Sequence, residues 1–213
     1  MRTTNLLMIA LLAIGLSFAS CDSAQKSKDK KAKTKKETKS ALPVEATTLN
    51  INTAESVVHW TGSLVGVYDH HGTLKFKNGV IDIKDGVIAD GSFVVDMTTM
   101  KPTDENYNPE EGSTKEKLVG HLSSPDFFDV ENYPEASFKI KAHTGNKIVG
   151  QLTIRGKTHE ETVKNLEIKN MDGKMKFHGT MTIDRNKYDV NWKHPVKDKV
   201  LSDEIELEIK IKG

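Results

Sequence analysis

The chain ends in DEIELEIKIKG, Asp203 to Gly213, and the reading of this stretch decides the fold. Ile205, Leu207, Ile209 and Ile211 alternate with Glu204, Glu206, Glu208 and Lys210. A period of two places every apolar side chain on one face of an extended strand and every charge on the other. A helix, with 3.6 residues per turn, would scatter those isoleucines around its axis. The segment is a half-buried strand.

The same alternation recurs upstream. Met175, Phe177, Gly179, Met181 and Ile183 alternate with Lys176, His178, Thr180 and Thr182. Ile148, Gly150, Leu152 and Ile154 are set against Gln151, Thr153 and Arg155. From Val87 the odd positions read Val87, Ala89, Gly91, Phe93, Val95 and Met97. Stretches near 57–66, 72–84, 135–143 and 159–169 complete a set of eight strands, the last with a parity slip after Val163 that predicts a bulge. Asp85-Gly86, the TGN at 144–146 and the MDG at 171–173 are turn signals between them. Such short connections require antiparallel neighbours. The one long connection is 98–134. Within it STKEKLVGHLSS has a serine start and good helix formers, which predicts a short helix near 113–122. Eight amphipathic strands either stack as a sandwich or close into a barrel, and closure removes the edges.

The inward parity is apolar and dotted with glycines. Gly62, Gly91, Gly150 and Gly179 all fall on it in mid-strand. Each could simply let a strand bend, but four on one face point to empty interior volume. No acid or base falls on that face of the well-patterned strands, so an apolar ligand is expected there. Trp60, Phe76, Phe93, Phe138 and Phe177 are its aromatic contacts. Leu64, Leu74, Gly91, Val95, Ile140, Gly150, Leu152, Ile154, Met175 and Met181 are its expected aliphatic and backbone wall.

The other end of the chain is not part of this domain. Arg2 and the apolar run LLMIALLAIGL read as a secretory signal over residues 1–20, too short to span a membrane comfortably. FASC resembles the lipobox of a bacterial lipoprotein, with Phe18 where leucine is more usual, so Cys21 is the expected site of lipid attachment. It is also the only cysteine, which leaves no internal disulfide to support the core. Residues 21–43 hold eight lysines and three acids and read as a disordered tether. Without the leader and that segment the chain is mildly acidic, near −5, which leaves no nucleic-acid footprint. The folded domain is expected over 44–213.

HLSSPDFFDVENYPEASFKI (His121 to Ile140), GQLTIRGKT (Gly150 to Thr158) and DRNKYDV (Asp184 to Val190) together resemble the YceI-like family. The resemblance implies an all-β, lipocalin-like barrel of eight antiparallel strands. It further implies a secreted bacterial protein that binds polyisoprenoid or related lipids and has no established catalytic residues or cofactor to carry over. Two positions depart from the family pattern. His159-Glu160-Glu161 stands where relatives have Lys-Pro-Val, and Asp189 where many carry glycine. The expected protein is an envelope lipoprotein that carries or stores an apolar, chain-like lipid and is held to a membrane through acylated Cys21.

Other chemistry is thinly represented. VYDHHGTLKF, Val67 to Phe76, invites a metal reading, but adjacent histidines in a strand face opposite ways. Asp69 and His71 share one face, and with His121 they would supply three ligands of a zinc site or metalloenzyme. The plainer reading is a polar rim at a barrel mouth. Asp126-Phe127-Phe128-Asp129 reads as a loop plugging one barrel end. Asp184 and Arg185 read as an ion pair or turn, with a lipid headgroup as the arginine's alternative partner. There is no G-x-S-x-G, P-loop, dinucleotide fingerprint or H-E-x-x-H. A structural lipoprotein with a solidly filled barrel is the remaining alternative.

Overall fold

The computed structural model describes residues 42–171 and 173–213, so Cys21, the leader and nearly all of the lysine-rich segment lie outside the described residues. Nine strands are present: β1 (Thr47–Asn50), β2 (Val57–Leu64), β3 (Tyr68–Lys84), β4 (Val87–Pro102), β5 (Glu135–Thr144), β6 (Lys147–Ile154), β7 (Lys157–Met171), β8 (Lys174–Asp184) and β9 (Leu201–Lys212). Every pairing is antiparallel, neighbours follow chain order from β2 to β9, and β9 closes onto β2 with Leu207 opposite Trp60.

β1 is not a ninth stave. It pairs with the end of β3, Thr47 opposite Ile83, on the same edge that β2 occupies further along, Val58 opposite Leu74. The barrel is therefore eight-stranded, with its first stave broken at residues 51–56. Four residues are too few for TTLN to display a period, which is why the sequence pattern does not reveal β1.

All long connections lie at one end, here called the upper end. The lower end has tight hairpins. At Asp85-Gly86 both residues are left-handed, φ 54° and 72°, the geometry whose twist matches two flanking strands. The upper end carries residues 103–134 between β4 and β5 and residues 185–200 between β8 and β9. The first holds a 3-10 turn at Pro109–Glu111 and the single α-helix among the described residues, α1 (Lys115–Ser123). The cap is Thr114, whose side chain accepts from the Lys117 N–H, so the helix starts slightly later than the serine suggested. The second long connection was not expected. It opens with a 3-10 turn at Arg185–Tyr188 and is ordered by side-chain-to-backbone bonds, which leave no periodic trace in sequence.

Register shifts occur in several pairings, and bulges in β7, β4 and β3 reset the parity there. In β7 the register shifts between Lys164 and Glu167, with Asn165 at φ 54°, where the slip after Val163 placed it. In β4 a shift beside Ile88 turns Val87 and Ala89 outward, contrary to the simple odd-parity reading, and buries Ile88. In β3 the inward set changes from Leu74 and Phe76 to Ile81 and Ile83 across the shift at Phe76/Asn78. Each bulge adds one unpaired residue and local twist, which a small barrel needs in order to close.

Candidate functional site

The barrel encloses a cavity of about 440 Å³ that runs from Ile88, Ile148 and Ile211 near the lower end to Tyr68 and Lys117 at the upper end. This volume falls within the range of ligand sites and excludes a solidly filled barrel. The wall is almost entirely apolar. Ile205, Leu207 and Ile209 are only half-buried although they point inward, because they face space instead of atoms.

Twelve of the fifteen expected ligand contacts line this space: Trp60, Leu64, Leu74, Phe76, Phe93, Val95, Phe138, Ile140, Leu152, Ile154, Phe177 and Met181. Three do not. Gly91 and Gly150 lie beneath neighbouring side chains, so they hold no open volume. A Cβ at Gly91 would stand 2.9 Å from both Ile140 Cδ1 and the Val80 carbonyl, and one at Gly150 would strike Phe138 and the Lys139 carbonyl. Met175 is buried but sits at the start of β8, hydrogen-bonded through its backbone to Gly213, where the lower end is closed. Of the four inward glycines, Gly62 alone opens onto free space. Gly91 lies against Ile140 and Gly179 against Val163, while Gly150 reflects a different device, in which a large ring lies over a glycine on the adjacent strand. Trp60 covers Gly72, Phe93 covers Gly79 and Phe138 covers Gly150.

The two excursions cover the upper end with an aromatic cluster. His121 packs edge-on against Phe127 (5.3 Å between centroids) and Trp192 (4.6 Å), and Phe127 contacts Phe128. The Asp126–Asp129 segment thus does sit at a barrel end, with Phe127 and Phe128 on the cavity wall. Trp192, Leu118 and the three β9 residues are wall positions missing from the expected set. The β9 residues were legible from their alternation, whereas Trp192 lies in an aperiodic loop.

Polar groups at this end hold the loops in place. Asp104 is 3% exposed. Its carboxylate accepts from His70 Nδ1 (2.9 Å), the Tyr107 hydroxyl (3.0 Å) and the backbone N–H groups of His71 and Asn106 (3.1 Å each). Burial pushes this carboxyl up, and those four bonds outweigh it and leave the group below the usual aspartate range. His70 is stacked on Tyr107 and edge-on to Tyr68. Arg185 is 4% exposed and donates to the carbonyls of Ser202, Val190 and Trp192 and to Asp203 Oδ1. Its ion pair is therefore with Asp203, not Asp184, and four of its five donors are committed to the fold. Arg155 joins the two excursions by donating to the carbonyls of Pro125 and Asp189. Asp189 has φ 59°, a left-handed conformation that glycine adopts without steric cost and aspartate tolerates. Glu161, in the other divergent stretch, accepts from Lys187 and Tyr188.

The residues of the alternative metal reading, Asp69, His71 and His121, are not brought together. His71 Nδ1 meets Thr103 Oγ1 at 3.0 Å on the outer face, Asp69 is exposed, and His121 is embedded in the aromatic cluster. Among the described residues no group of three or more His, Cys, Asp and Glu side chains is placed to hold a metal ion. Among the described residues two buried side-chain nitrogens lack a hydrogen-bond partner, Trp60 Nε1 and His121 Nε2, and both belong to cavity-lining residues. Burial lowers the His121 pKa from the ordinary histidine value. Among the described residues no helix is long and apolar enough to cross a membrane.

Known proteins resemble this chain in sequence and in fold. UPF0312 protein SAB2563 of Staphylococcus aureus is 37% identical over 103 residues, which are 46% of this chain and 60% of that protein. UPF0312 protein SERP2314 of Staphylococcus epidermidis matches to the same extent, so the aligned part spans about 60% of these curated relatives' length. BcnA of Burkholderia cenocepacia superposes with a TM-score of 0.61 at 21% identity, covering 76% of this chain and 99% of BcnA. A polyisoprenoid binding domain from Saccharophagus degradans, implicated in plant cell wall breakdown, superposes at 0.55 with 10% identity, covering 79% and 98%. At these identities the structural likeness establishes the fold. The YceI-like domain model matches residues 49–213, from the end of β1 to the C-terminus, and this chain belongs to the YceI-like family.

Proposed function

We propose that the chain binds an apolar, chain-like lipid inside the barrel and carries or stores it in the bacterial cell envelope. The single observation behind this reading is the long apolar cavity of about 440 Å³. A prenyl or fatty chain suits such a space because burial of each methylene contributes about 0.8 kcal/mol, partly offset by the cost of association. The similar Saccharophagus degradans domain is described as polyisoprenoid binding, which favours an isoprenoid. Trp60 Nε1 and His121 Nε2 could satisfy a head oxygen, which keeps isoprenoid quinones and fatty amides in the same class. A carrier role fits better than catalysis, since Asp104 and Arg185, the most buried charged groups near the cavity, are committed to holding loops. The leader, acylated Cys21 and lysine-rich tether complete the proposal as an exported lipoprotein. Native mass spectrometry of protein purified from its own host tests it. A co-purifying apolar molecule of defined mass is expected. A protein that is consistently empty and takes up neither prenyl lipids nor fatty amides would refute the reading.

A further inference from the structure

We propose that one side of the upper rim is a docking surface for an anionic lipid bilayer, placing the cavity mouth against the membrane from which a lipid is drawn. Nine large hydrophobic side chains are exposed among the described residues, and five of them lie here: Val65, Val67, Tyr68, Val196 and Val200. They come from two segments that adjoin directly. The Val65 N–H donates to the Val200 carbonyl at 2.8 Å, and Leu64 pairs with Leu201 at the adjacent strand ends. The other four are dispersed: Val44 and Val87 near the β3–β4 turn, Met171 at the β7–β8 turn, and Tyr133 against Gly156. A cluster of this kind on a soluble domain marks an interaction surface.

Charge identifies the partner. Lys193, Lys197 and Lys199 are exposed and interleaved with Val196 and Val200. Apolar side chains set among lysines are what an anionic bilayer surface accepts, the valines entering the headgroup boundary and the ammoniums pairing with phosphates. Asp198 and Asp69 are the nearby countercharges in these segments. Glu105, Glu110 and Glu111 belong to the other excursion, so docking is expected on the Val65–Val200 side only.

The surface also adjoins the mouth. Tyr68 is both an exposed member of the cluster and part of the cavity wall, and Leu64 and Leu201, next in sequence to Val65 and Val200, line the cavity. A prenyl or acyl chain leaving the bilayer at this point would enter the barrel without crossing water. This inference goes beyond lipid binding, and its test does not depend on the cavity being filled.

The test places a tryptophan at each end of the full chain, Val67→Trp at the rim and Met171→Trp at the lower end. Each variant is mixed with phosphatidylcholine vesicles containing phosphatidylglycerol and carrying brominated acyl chains. The Val67→Trp protein should lose the fluorescence added by the new residue, and the Met171→Trp protein should not. Lys193, Lys197 and Lys199→Gln together should lower vesicle partitioning at least about tenfold at low salt. Equal quenching at both ends would mean that the lysine-rich segment alone holds the protein to the surface, and would overturn the inference. Absence of quenching at both ends would overturn it too, and would reassign the rim to a protein partner. Binding of geranylgeraniol in detergent solution, measured separately, reports on the cavity. Its failure beside a quenched Val67→Trp would overturn the lipid-carrier reading and leave the docking surface standing.

Discussion

The ring of Phe138 lies over Gly150 on the next strand, so closely that Phe138 Cε1 would stand 2.8 Å from a Cβ at that position. The Lys139 carbonyl closes the same space from the backbone side. Gly150 is therefore a seat for an aromatic ring, and its lack of a side chain adds nothing to the cavity.

Gly150→Ala should accordingly destabilise the protein by about 1–3 kcal/mol, the usual cost of forcing a methyl group into packed space. Urea unfolding measures this directly. Replacing Phe138 by Leu in the same variant should recover part of the loss, since the obstacle is then smaller. An unchanged urea midpoint for Gly150→Ala would mean that the ring does not occupy this seat.

Much of the fold was legible because strand alternation is a local signal. β9, β8 and β6 announce both their extent and their inward faces, and twelve of the expected cavity contacts follow from parity alone. Parity fails where a bulge intervenes, as at Val87 and Ala89, because one extra residue reverses every later side chain. It also cannot distinguish a glycine that opens a cavity from one that seats a ring, since that depends on the residue across the strand pair. Gly62 and Gly150 look alike in sequence and differ only in whether a neighbouring ring covers them. Loops were the least legible. Arg185 is positioned by donating to the carbonyls of Ser202 and Trp192, the latter bond also holding the Trp192 backbone, and no spacing in the sequence records these.

Asp104 should be the most sensitive polar position. It gathers His70, Tyr107 and two backbone N–H groups, and Asp104→Ala would leave all four without their acceptor. A loss of about 2–4 kcal/mol is expected, with Asp104→Asn retaining part of the network. The sign of the pH effect follows from the depressed carboxyl pKa. The contribution is complete well above the ordinary aspartate value of about 3.9 and is lost as pH falls through the lower folded value. Between these limits wild-type stability should therefore fall more steeply with acid than that of Asp104→Asn. Parallel acid profiles from thermal unfolding would argue against this role.

The proposed anchor makes a separate prediction. Cys21→Ser should move the protein from the membrane fraction to the soluble fraction in its host. The urea midpoint should stay the same, because the core seen among the described residues starts at Leu42, about twenty residues after Cys21. Fractionation and unfolding together decide the matter. Membrane association that persists in high salt after this change would remove Cys21 as the anchor.

Gly62 offers the cleanest way to block the cavity. It lies on β2 between His70 and Ile205, lines the cavity, and has no atom within 4 Å of a Cβ placed on it. Gly62→Phe should therefore fold, and stability should be unchanged or slightly raised, since glycine is a poor strand former and an aromatic residue a good one. The new ring would occupy space near the mouth that a bound chain needs. Displacing about four methylenes at about 0.8 kcal/mol each would weaken binding by roughly two orders of magnitude. Thr61→Phe is the matched control, because Thr61 pairs with His71 and Glu206 and its side chain takes the outward parity of the same strand. It should leave binding of a prenyl alcohol in detergent within about twofold of wild type, well inside the window set by the Gly62 change. If Gly62→Phe folds and still binds at full affinity, the ligand lies outside the barrel. If both variants lose binding equally, the effect belongs to β2 as a strand and not to the cavity.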